Sequence, residues 1–178
     1  MLNRFMRRHS ANGVSLLTLC FALVGTVQAQ TRNYEEPDDA KPAWQESSVT
    51  LPAAPQSADL LPFYVSATAS QRFMLDAKSL GITKEGVVRY TLLAKSEAGV
   101  QNVSYEGIRC DSFEYKTYAY GRADGSWSTS RRDQWQRILH NISNRAQAAL
   151  ALDFFCQGKT VAGKIPDILQ KIRTEQVK

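Results

Sequence analysis

The sequence predicts an α+β domain, an antiparallel sheet of four to six strands followed by two or three C-terminal helices packed on one of its faces. Three observations carry this reading. Short β-branched and aromatic segments recur between residues 63 and 128. The links between them are too short for parallel crossovers, which need a dozen residues or more. After Trp135 the apolar period changes to helical spacing, and sheet-then-helices is the order of an α+β fold.

Residues 63–67 and 71–78 are the first two strands, and 86–95 is a third, whose Val87, Val88, Tyr90, Thr91 and Leu92 favour a pleated surface. Ser96 to Gly99 makes a turn. Residues 100–110 and 112–120 continue the sheet, and Asp124-Gly125 supplies the positive-φ chemistry of a tight turn before a short strand at 126–128. Trp135, Ile138, Leu139 and Ile142 stand at i, i+3, i+4 and i+7, the stripe of an amphipathic helix with Asp133 at its positive end. Residues 145–157, rich in alanine with Leu150, Leu152, Phe154 and Phe155, read as a helix apolar almost all round and heavily buried. Pro166 suits the first turn of a last helix, whose face is Ile165, Ile168, Leu169 and Ile172.

This single domain is assigned to residues 61–178, and what precedes it is different in kind. Residues 1–29 combine Arg4, Arg7, Arg8 and His9 with an apolar run of about fifteen residues and the small-x-small ending Val27-Gln28-Ala29, the pattern of a secretory signal peptide cleaved after Ala29. The run is short of the roughly twenty residues that span a bilayer, and no later segment qualifies, so no transmembrane segment is expected in the mature chain. Lipidation at Cys20 is not expected, because no small residue stands beside it. Residues 30–60 hold six acids, two bases and four prolines, a leader expected to be disordered or extended. Within it Trp44 is either an anchor that docks on the domain or an exposed tether residue. Residues 61–178 carry 17 bases against 11 acids, so the acidic leader could lie across a basic face of its own domain.

The 178-residue chain has a formal charge of +5, but three of its bases leave with the signal. The near balance that remains, and the absence of a basic-aromatic motif, argue against nucleic acid as a partner. A secreted chain matures where thiols oxidise, and Cys110 and Cys156 are the cysteines that remain, so a disulfide between them is expected. The other possibility is two buried free thiols.

His140 is the sole imidazole left after cleavage. A zinc site on Cys110, Cys156 and His140 would need both thiols reduced and a fourth ligand, and no metal is expected. A triad of His140 with Asp133 fails on a helix, where seven residues span about 10.5 Å. No Gly-rich phosphate loop is present, and no cofactor is expected. The remaining candidates form two groups. Arg109, Lys116, Tyr118, Tyr120, Arg122, Trp127 and Arg131 make a basic aromatic cluster able to contact an anionic ligand or an envelope protein, or else a solvated hairpin. Glu106, Glu114 and Asp153 are carboxylates that could share acid and base work.

Leu60-Leu61-Pro62-Phe63, Gly86 through Leu92, Asn102-Val103-Ser104-Tyr105-Glu106-Gly107-Ile108-Arg109-Cys110, Tyr118-Ala119-Tyr120-Gly121 and Phe154-Phe155-Cys156 resemble the cryptic neisserial protein family. The resemblance covers most of the mature chain and implies an envelope protein of a Gram-negative bacterium. The family has no assigned activity, so it supplies no catalytic residue, and some members carry a lipid anchor that this chain lacks the signal for. The expected function is therefore a non-catalytic periplasmic envelope-accessory or binding protein, soluble after cleavage. The alternative is a carboxylate-dependent hydrolase of an envelope polymer.

Overall fold

The computed structural model describes residues 44–139 and 143–175. The expected signal peptide, the first part of the leader, His140 and Ile142 lie outside the described residues. The contacts divide the chain between Lys41 and Pro42, and everything below concerns the second unit.

The sheet runs β1 (Leu60–Phe63), β2 (Gln71–Ile82), β3 (Val87–Ser96), β4 (Gln101–Arg109), β5 (Glu114–Gly121) and β6 (Trp127–Thr129), each antiparallel to the one before. Consecutive strands are neighbours because each link is a turn. Gly99 at φ 86° closes the β3–β4 link through its N–H to Ser96 O, and Gly125 at φ 82° does the same to Arg122 O before β6. Asp124 Oδ1 accepts the Ser126 N–H and hydroxyl there, so the Asp-Gly pair turns the chain as its chemistry requires.

The expected helix through Trp135 is not formed. Gln136–Arg137 is instead a strand, β7, paired with Glu114 and Tyr115 of β5. The reason is an open ladder. β6 covers only Ala119 to Gly121, leaving the other half of β5 with edge groups to satisfy, and the chain after β6 supplies them. Ile138 is buried, as either periodicity allows, whereas Leu139 is exposed.

Two helices follow. α1 (Arg145–Ala149) passes directly into a wider π turn, Leu150–Phe155, which seats Leu150, Ala151, Phe154 and Phe155 in the core. This element is shorter and less enclosed than the 145–157 helix expected: Leu152 and Asp153 are exposed, and Cys156–Gln157 is already a strand, β8, paired with β9 (Thr160–Val161). α2 (Ile165–Glu175) begins with Pro166 in its first turn and buries Ile168 and Ile172, as its stripe predicts. Both helices cover the face carrying Leu75, Val88, Tyr90, Leu92 and Ile108. The Cys110–Cys156 disulfide ties the end of β4 to the exit of the π turn, with Cα atoms 5.5 Å apart.

In β3 every residue from Val87 to Ala94 is buried. Alternate side chains of a strand point to opposite faces, so something must cover the face that the helices do not. That cover is built from the leader and the aromatic residues of β4, β5 and β6.

Candidate functional site

Residues 44–56 form neither helix nor strand; they lie extended against the outer face of the sheet, and a 3-10 turn at Ser57–Asp59 leads them into β1. Side chains of the sheet and of the turn before β3 hold them. Arg89, on the outer face of β3 and 7% exposed, donates from Nη1 to Ser48 O at 2.9 Å and from Nη2 to Ser47 O at 2.7 Å. Glu85, in the turn before β3, accepts the Ser47 N–H at 2.9 Å and its hydroxyl at 2.5 Å. Burial pushes the Glu85 carboxyl up, but the Ser47 hydrogen bonds outweigh it and hold the group at about 2. Trp127 donates its indole N–H to Pro52 O at 2.7 Å.

The centre of this contact is Glu46. Its Oε1 accepts the Tyr118 hydroxyl at 2.5 Å and lies 3.5 Å from Arg89 Nη2, while its Oε2 pairs with Lys116 Nζ at 3.1 Å. Lys116 also meets Asp133 at 2.5 Å. Burial lowers the Lys116 ammonium, and the two carboxylates outweigh it and raise it; burial and then Glu46 raise the Tyr118 hydroxyl, so it stays a donor. Tyr118 can reach Glu46 because of a bulge. Tyr105 pairs with Ala119 and Glu106 with Thr117, which leaves Tyr118 as the extra residue of β5, re-aimed across Gly107.

Beside this cradle Arg109 is stacked. Its guanidinium lies 3.8 Å from the Trp44 ring centroid and 5.5 Å from that of Trp135, and the two indoles meet edge to face at 6.0 Å. Trp44 is thus docked, although 39% of it remains exposed. Arg109 also pairs with Asp111 at 3.0 Å and Glu114 at 3.7 Å.

The seven cluster residues named from sequence are therefore split. Arg109, Lys116, Tyr118 and Trp127 gather on the outer face, each engaged by the leader. Tyr120 pairs with Ser104, beside Glu106 on the face toward the helices, and is half exposed. Arg122 is exposed in the hairpin turn and Arg131 in the following loop, where with Arg132, Asp133, Gln134 and Gln136 it lines an open depression of about 610 Å³. Arg89, Glu85 and Glu46 complete the site and were not named; a charge within the apolar run 86–95 is the signal for Arg89.

The three carboxylates do not converge. Glu106 is buried under α1, accepting from Tyr90 Oη at 2.9 Å, Ser104 Oγ at 2.6 Å and Gln147 Nε2 at 2.8 Å. Burial raises its carboxyl against the lowering of these bonds. Glu114 pairs with Arg109 on the outer face, and Asp153 is exposed in the π turn, where Lys171 Nζ donates to its carbonyl oxygen. Glu106 and Asp153 thus lie on the helix side and Glu114 across the sheet. Among the described residues, no group of three or more His, Cys, Asp or Glu is placed to hold a metal ion, and no helix is long and apolar enough to cross a membrane.

Comparison with known proteins adds a relationship. The model of the CNP1-like family matches residues 39–173. A protein of Neisseria gonorrhoeae (strain ATCC 700825 / FA 1090) called "Cryptic neisserial protein 1" is 28% identical, the match covering 72% of this chain and 71% of that relative. No solved structure matches the chain.

Proposed function

The chain belongs to the CNP1-like family, and from that premise we propose that it is a non-catalytic accessory protein of the bacterial envelope, acting by binding in the periplasm and stabilised by its disulfide. The observation that carries this reading is that its candidate carboxylates differ in face and burial, one buried and engaged, one exposed, one on the opposite face. Paired acid and base work needs two carboxyl groups within about 10 Å across a substrate. Here Glu106 has three donors beneath a helix, Asp153 is in the π turn, and Glu114 is tied to Arg109 on the other side of the sheet. The same placement disfavours the hydrolase alternative. The outer face, by contrast, presents cationic and aromatic groups on rigid strands, which is recognition chemistry. Export is supported by the arginine-led apolar run at 1–29 and by a disulfide that an oxidising compartment maintains.

The test is twofold. Purified protein incubated with labelled peptidoglycan and envelope glycans is expected to release no soluble product. Turnover abolished by Glu106→Gln, Glu114→Gln or Asp153→Asn would overturn the non-catalytic reading. Osmotic-shock fractionation is expected to release a chain starting near Gln30 with paired thiols; an uncut chain in the cytosol would overturn the location.

A further inference from the structure

We propose that the Arg89, Lys116 and Tyr118 cradle is a receptor for a carboxylate on an extended acidic peptide of a partner protein, and that residues 44–56 occupy it as an internal competitor. The proposal rests on the binding reading above and specifies its ligand. The groups of the cradle stand on strands of a disulfide-tied domain: a guanidinium on β3, and an ammonium and a phenol on β5. Around it the sheet reads a pattern, not merely a charge. Arg109 stacks an aromatic ring, the cradle takes a carboxylate two residues later, Arg89 takes the next two carbonyls, and Trp127 takes a carbonyl four residues beyond.

The resident segment leaves parts of this pattern unanswered. It adds no strand to the sheet, and its anchoring hydrogen bonds run through sheet side chains. Trp44, Val49 and Leu51 remain 37–39% exposed, and Arg89 Nε, Arg109 Nε and Glu85 Oε2 are buried without a hydrogen-bond partner. A segment that leaves apolar side chains in water and buried donors unanswered can be displaced by one that serves them. A second copy of the chain is the poorer occupant, because exchanging identical segments gains no new contact. Asp59 pairs with Lys78 at 2.9 Å where the chain's own segment enters β1.

A tethered competitor acts at an effective concentration of about millimolar, so loosening it raises the apparent affinity of a ligand added in trans. The probe is a fluorescein-labelled synthetic peptide with the sequence of residues 42–55, titrated by anisotropy against the full chain. Glu46→Gln in the chain is expected to bind it at least tenfold more tightly than wild type, and Trp44→Ala, which loosens the segment outside the cradle, to shift it in the same direction. A peptide carrying Gln in place of its Glu is expected to bind at least tenfold more weakly. Equal binding by wild type and both variants, or by both peptides, would overturn the proposal. A Glu46→Gln dimer by light scattering would replace the partner with a second copy and overturn it too. Polymer turnover would sink the non-catalytic reading while leaving this titration standing, and failed peptide binding would do the reverse.

Discussion

The Tyr118 hydroxyl donates to Glu46 Oε1 at 2.5 Å across 72 positions of sequence, joining a residue of the acidic leader to the bulge of β5. With the contacts of Arg89, Glu85, Lys116 and Trp127, this bond holds leader and domain together. It depends on a bulge that turns Tyr118 toward the outer face and on a neighbour small enough for its ring to lie across.

That neighbour is Gly107. A Cβ there would come within 3.0 Å of the Tyr118 ring and closer still to its hydroxyl. Gly107→Ala is expected to push Tyr118 off Glu46 without disturbing the helix-side core, destabilising by about 1–3 kcal/mol. Urea unfolding should show the lower midpoint, and limited proteolysis should cut first within residues 44–56.

The disulfide closes a sequence separation of 46 residues. By the loop-entropy model its removal costs about 4 kcal/mol. Cys110→Ser with Cys156→Ser is expected to lower the melting temperature by roughly 10 °C or more in a domain of this size. Reductant should reproduce the loss in wild type and leave the double variant unchanged.

Two carboxylates give stability opposite pH dependences. Glu85, held at about 2 against an ordinary 4.5, contributes stability present above pH 4.5 and lost as pH falls toward 2. Glu106, raised by burial, favours the protonated fold, so its contribution is full below 4.5 and is lost as pH rises through its folded value. In thermal melts from pH 2 to 8, Glu85→Gln should flatten the acid limb. Glu106→Gln should gain on wild type as pH rises.

The sheet was legible because its signals are local: β-branched runs, an Asp-Gly turn and links of a few residues. The last helix was legible for the same reason, Pro166 and its stripe lying within one element. The stripe starting at Trp135 misled over its described residues because Ile138 is buried on either periodicity, and the choice was made by the open edge of β5, a non-local demand. Charge asymmetry between leader and domain was visible in the sequence. Its pairing was not, because Glu46 meets Lys116 across 70 positions and Tyr118 through a bulge that leaves no mark in composition. Arg89 could have been found as a charge in a buried run, yet its targets, the carbonyls of Ser47 and Ser48, carry no sequence signal.

The most direct test of the leader's attachment is a double-mutant cycle of Glu46→Gln and Tyr118→Phe, each variant and the pair unfolded in urea. Their direct bond predicts a coupling energy of about 1 kcal/mol or more. Strict additivity, within about 0.3 kcal/mol, would show that the two side chains do not meet and would contradict the account.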